Sequence, residues 1–168
     1  MLTLKSPYAE LTAAGYDKLG VELQRSKWRQ IWVSPVFMTW WTDELPNMAP
    51  DGDIRDPLSQ LVAFSARFIE GEPILIKGSD DSGEGVRLMR PDESGVWEMC
   101  SSDTRVFGWF CRRDIFVAVN AGYTKTIKDL KLYPGYRDEV ITHRNRLNIP
   151  DPSYVDGKVY SDVLSNRP

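Results

Sequence analysis

Between Gly95 and Lys128 the chain alternates apolar runs with short polar turns. Val96–Cys100, Arg105–Cys111 and Ile115–Gly122 are the runs, and Ser101–Thr104 and Arg112–Asp114 separate them. Each run has strand length; the first two are rich in β-branched and aromatic residues and the third in valine. Turns this short force antiparallel neighbours, which predicts a three-stranded meander over 95–122. Read with period two, Arg105, Phe107, Trp109 and Cys111 share one face of the middle strand, and Val106, Gly108 and Phe110 share the other. Apart from Arg105 both faces are apolar. The strand is therefore expected near the centre of a sheet, with a helix on at least one side.

The same patterning extends outwards. Leu11, Leu19 and Leu23 recur at helical spacing from Tyr8 to Lys27, interrupted by Gly15 and Gly20. WRQIWVS, Trp28 to Ser34, reads as a strand. Ser34-Pro35 supplies an N-cap and a proline at the first helical position, and a helix to Leu45 sets Phe37, Trp40, Trp41 and Leu45 on one side. Asp56-Pro57 repeats the signal. It opens a helix with a stripe of Leu58, Leu61, Val62, Ser65, Phe68 and Ile69, stopped at Gly71. Pro73–Lys77 and Val86–Met89 are short strand candidates on either side of the polar turn Gly78–Gly85. A turn of helix is expected around Ile127–Leu132 and a longer helix over Pro134–Leu147, with a stripe of Tyr136, Val140, Ile141 and Leu147. The order predicts an α+β fold: a small antiparallel sheet, the meander plus flanking strands, with helices packed on one face. The expected organisation is an N-terminal helical extension over 1–27, an α+β domain over 28–147 and an extended C-terminal tail over 148–168.

Composition adds charge to this picture. The chain has 168 residues, 42% of them hydrophobic, and a net charge of −3. The charge is uneven: Val86 to Leu147 holds eleven basic and eight acidic side chains, so that segment carries +3 and the remainder −6. A basic part is compatible with a polyanionic partner, and equally with a solvated mixed surface. No apolar run approaches the roughly 18 residues that span a bilayer, and no secretory signal is expected at the N-terminus. The meander places Cys100 near Arg105 and Cys111 towards the opposite end, too far apart to bridge, so both are read as buried thiols and the compartment as cytoplasmic.

Candidate chemistry is narrowed by what is missing. The chain has one histidine, His143, and neither a phosphate-binding glycine loop nor cysteines at zinc spacing. Any chemistry would rest on Arg, Lys, Tyr, Asp, Glu and His143. Guanidinium and ammonium groups neutralise the charge of a phosphorane-like transition state, and a phenol or carboxylate moves a proton. That inventory suits phosphodiester chemistry without a cofactor or metal.

Trp32 to Leu147 resembles the RelE/HigB-like toxins of type II toxin–antitoxin systems, in their phage-derived Gp49-like branch. WVSPVFMTWWTDEL resembles the opening strand and helix, and PILIKGSDDSGEGVRLMR the segment that leads into the sheet. GVWEMCSSDTRVFGWF is similar to the family's G-x-W-E-L-R … R-V-x-Y strand pair, IFVAVNAGYTKTIKD to the next strand with its basic F-x-K-K-T end, and YPGYRDEVITHRNRL to the C-terminal helix. Cys100 stands where the family has the arginine of E-L-R, Phe110 near its tyrosine, and Thr124 at the first lysine of K-K-T.

The resemblance implies a cytoplasmic, metal-independent endoribonuclease acting on mRNA, usually on the ribosome, and held in check by a cognate antitoxin protein. Carried over by position, it implies catalytic roles for Arg105, Lys125 and Tyr123 and an RNA contact from Lys128. From the residues themselves, Arg87 and Arg90 could track an RNA backbone from the neighbouring strand and Arg112 could add a contact from its turn, with plain solvent exposure as the alternative for all three. From the residues alone, Arg105 is either a phosphate-binding group or half of an ion pair with Glu98 or Asp103. The alternative function is a non-catalytic protein-binding module, or a phage- or plasmid-derived component using the same fold.

Overall fold

The structure, a computed structural model, describes residues 6–20, 28–78 and 83–166. The meander forms as its pattern dictates: β4 (Trp97–Cys100), β5 (Thr104–Arg112) and β6 (Ile115–Tyr123) pair in antiparallel order. Three further strands extend the sheet to six. At one edge β3 (Gly85–Leu88) adds to β4. At the other, β2 (Gln30–Val33) joins β6 in parallel, and the two-residue β1 (Asp17–Lys18) pairs with β2. The order is β1-β2-β6-β5-β4-β3. The expected antiparallel sheet is thus a larger, mixed one.

The expectation of helices on one face is also corrected. One core lies between the sheet and the helices α2 (Pro35–Thr39) and α3 (Pro57–Ile69). It is built from Val33, Phe37, Phe64, Phe68, Val106 and Phe110, among others. A second core lies on the opposite face. There Phe107, Trp109, Val117 and Val119 meet residues of α1 (Tyr8–Ala13), α4 (Thr124–Asp129) and α5 (Tyr133–Arg146), including Leu11, Ile127 and Val140. The reason is already in the strands: β5 and β6 are apolar on both faces, and each face must be covered.

Local chemistry explains the helix starts. Ser34 Oγ accepts the Phe37 amide at 3.0 Å, and Asp56 Oδ1 accepts the Ser59 amide at 2.9 Å; a proline follows each cap. After Thr39 the helix continues as a π-helical turn, Trp40–Glu44. On α3 the buried face is rotated from the expected stripe: Val62 is turned outwards, while Gln60 and Phe64 are buried. Gln60 is kept inside by polar partners, donating to Asp103 Oδ2 at 2.7 Å and accepting the Asp103 amide at 3.1 Å.

Three sequence expectations change in detail, and a fourth lies partly outside the described residues. The helix expected over Tyr8–Lys27 stops at Ala13; Gly15 turns the chain at φ +82°, and 21–27 lie outside the described residues. Pro73–Lys77 makes one bridge, Ile76 to Val86, rather than a strand. Part of the expected turn Gly78–Gly85, residues 79–82, lies outside the described residues. The tail does lie along the body, but it ends in a helical turn, α6 (Tyr160–Val163), and buries Val163 and Leu164 in the core under α3.

Candidate active site over the β3–β4 edge

The register of the meander decides which sequence candidates can meet. Cys100 pairs with Arg105, and Arg105 with Gly122, so the end of β4, the start of β5 and the end of β6 lie side by side. Arg105 is only 5% exposed. Its Nη1 donates to the carbonyls of Ser101 and Thr104, at 2.6 and 3.0 Å, and to Thr124 Oγ1 at 3.1 Å, while Nε has no hydrogen-bond partner. Neither of the expected carboxylates pairs with it. Asp103 instead accepts the amides of Asp51 and Gly52, and Glu98 pairs with Arg87.

The other candidates scatter. Tyr123 follows Gly122 on β6, so its side chain takes the face opposite to Arg105, and its hydroxyl donates to the Ala49 carbonyl at 3.0 Å. Lys125 is exposed on α4 and reaches Asp129 at 3.5 Å; Lys128 is exposed on the same helix. Arg112 lies at the far end of β5, where its guanidinium donates to the carbonyls of Pro150 and Pro152 and fastens the tail. Only Arg87 and Arg90 of the predicted set open onto a common cavity.

That cavity, about 570 Å³, lies over β3 and β4 beside the start of α5. Among the described residues, five cationic side chains line it: Lys77, Arg87, Arg90, Arg137 and Lys158. The acidic groups among them are Asp92, 3.7 Å from Arg90, and Glu98. Glu98 sits on the inner face of β4 and is 1% exposed. Its Oε1 lies 3.3 Å from Arg87 Nε and accepts the Cys100 thiol at 3.6 Å, while its Oε2 has no hydrogen-bond partner. Tyr133, at the first position of α5, adds a phenol. Burial, followed by the charge of Glu98, pushes that phenol's pKa up, with the charge of Arg105 opposing. Burial also lowers Lys77, whose ammonium donates to the Gly83 carbonyl at 2.8 Å.

The arrangement is chemically specific: a mostly cationic wall for a polyanion, one buried carboxylate with an open lone pair, and one phenol held in its protonated form. Sequence reading missed Lys77, Tyr133, Arg137 and Lys158 and met Glu98 only as a possible partner for Arg105. They come from four separate segments, and apart from Tyr133 and Arg137, one turn apart on α5, no spacing links them. Among the described residues, no group of three or more His, Cys, Asp or Glu is placed to hold a metal ion. Among the same residues no helix is long and apolar enough to cross a membrane. Compared with protein-family models, curated proteins and solved structures, the chain finds no match.

Proposed function

We propose that this chain is a metal-independent endoribonuclease, the toxin of a type II toxin–antitoxin pair, and that its site is the cavity over β3 and β4. The observation that carries the reading is the convergence of Lys77, Arg87, Arg90, Arg137 and Lys158 around one buried carboxylate and one phenol. Phosphates of an RNA strand fit that wall through charge-assisted hydrogen bonds. In the reaction the 2′-hydroxyl oxygen attacks the adjacent phosphorus and the bond to the 5′-oxygen breaks. The products are a 2′,3′-cyclic phosphate and a 5′-hydroxyl. Glu98 Oε2 is the acceptor for the 2′-proton, Tyr133 the donor to the leaving oxygen, and Arg87 and Arg137 stabilise the charge on the phosphorane. Arg105, bound to its own chain's carbonyls, positions Tyr133 rather than touching RNA.

The test is cleavage of a 5′-labelled oligoribonucleotide, free and on ribosomes, in the presence of a chelator. Cleavage of RNA but not DNA, with cyclic-phosphate ends, is expected. Arg87→Ala and Tyr133→Phe should each slow it by about a hundredfold while the protein still folds. Expression should arrest growth, and co-expression of an antitoxin protein should restore it. Intact RNA under all these conditions would overturn the reading. A second reading has one observation in its favour: the guanidinium of Arg105 is taken up by internal carbonyls, as in a non-catalytic protein-binding module. That reading expects a stable protein complex with no RNA cleavage.

A further inference from the structure

A second cavity lies on the other side of α5, between that helix, the end of β6 and the π-helical turn. Its volume is about 360 Å³. Among the described residues its lining contrasts with the first: two carboxylates, Glu44 and Glu139, and no cationic side chain. The negative field registers on its neighbour Tyr136. Burial first, then Glu139 and Glu44, push that phenol's pKa up.

Two buried polar groups in the lining lack partners. Asn120 is 3% exposed, and its Nδ2 donates to Glu139 Oε2 at 2.7 Å. A carboxylate only accepts, so this bond fixes the orientation of the amide. Asn120 Oδ1 is then an acceptor without a hydrogen-bond partner. Trp40, 5% exposed, likewise has no partner for its indole Nε1–H. Buried polar atoms are nearly always paired, and an unmade bond of this kind is costly. The imidazole on α5 leaves room for another donor: His143 Nε2 is 3.9 Å from Glu139 Oε1, beyond hydrogen-bond distance, while His143 Nδ1 is 3.3 Å from the Tyr16 hydroxyl.

We infer that this cavity binds an organic cation, an alkylguanidinium or alkylammonium group. The cation's N–H donors would be shared by Glu139, Glu44 and Asn120 Oδ1, and its methylene stem would lie against Val36, Trp40 and Ala121. A planar guanidinium, with five donors, matches such a set of acceptors. Two carboxylates side by side repel phosphate, so this site does not extend the RNA cavity and does not depend on the ribonuclease reading. The group can come from a free small molecule or from an arginine side chain of a protein, and both present the same chemistry.

The test is nitrogen-15 NMR of the full chain, titrated separately with agmatine and with N-acetyl-arginine methylamide. Saturable shifts of the Trp40 indole and Asn120 side-chain signals are expected by about 10 mM, with the Trp97 indole unmoved. Glu139→Gln, which preserves an acceptor for Asn120, and the exposed Glu44→Gln should each weaken binding about tenfold. Tighter binding of agmatine assigns the site to a small molecule; equal or tighter binding of the capped arginine assigns it to a protein side chain. Absence of saturable shifts would overturn the inference. So would unchanged affinity in the double variant, or displacement by magnesium ion at equal concentration.

Discussion

Cys100 sits opposite Arg105 in the sheet and is sealed from solvent. Burial pushes its thiol up to about 11 from an ordinary 9.0, and that of Cys111 up to about 12. Both folded-state values are raised, so the stability linked to these thiols is fully present below pH 9. It is lost as pH rises through 11 and 12, because the unfolded chain releases the protons first. Denaturant titrations at pH 8, 9.5 and 10.5 should therefore show falling stability, and the slope should flatten in a Cys100→Ala, Cys111→Ala protein. Neither thiol should react with a water-soluble disulfide reagent until the chain unfolds. At this scale the sequence showed Arg105 as an anomaly in an apolar strand but not what would satisfy it. Two of its three partners are main-chain carbonyls, which any residue supplies and no pattern marks. Glu98 was equally opaque, because its importance rests on Arg87 lying across from it in a neighbouring strand.

The elements divide by how local their causes are. The caps of α2 and α3 were readable because Ser34-Pro35 and Asp56-Pro57 act within one turn. Asp56→Ala should lower the midpoint of chemical denaturation, since it removes the acceptor for the Ser59 amide. The meander was readable because alternation and turn length are local as well. Its irregularity was not. The β5–β6 register shifts between Phe107 and Gly108, and a Cβ on Gly108 would overlap the Val117 carbonyl oxygen. Gly108→Ala should therefore destabilise the protein by about 3 kcal/mol. Amide exchange in β5 and β6 should rise, and exchange in α1 should change least. The π-helical turn after Thr39 also left no trace in the sequence, where Phe37, Trp40, Trp41 and Leu45 read as an ordinary stripe.

At the level of the whole molecule, Arg29 joins the C-terminal end of the described chain to the end of α3. It is 1% exposed, and its guanidinium donates to the carbonyls of Phe68, Glu72 and Ser165 at 2.7–3.0 Å and to Asn166 Oδ1 at 2.9 Å. Asp114, 3.7 Å from Arg29, accepts the Ser165 amide. Burial lowers the pKa of Arg29, with Tyr160 and Asp114 opposing the shift. Arg29→Ala should cost about 3 kcal/mol, because it leaves several buried carbonyls unpaired. It should also expose the chain beyond Pro150 to limited proteolysis while the meander stays protected. Lys158 of this tail lines the candidate active site, so the same variant should weaken RNA binding without touching the cavity directly.

The sequence by itself determined the three-strand meander, the two capped helices and the burial of both cysteines. It also determined the concentration of basic charge between Val86 and Leu147. Each follows from interactions between residues close along the chain, or from simple apolar periodicity. Only the tertiary structure decided that β2 joins β6 in parallel, which helices cover which face, and which cations share a cavity. Sheet order, the path of the tail and the meeting of Lys77, Arg87, Glu98, Tyr133 and Lys158 all depend on contacts between distant segments. Their geometry is set by packing two apolar faces at once, and no local pattern encodes that.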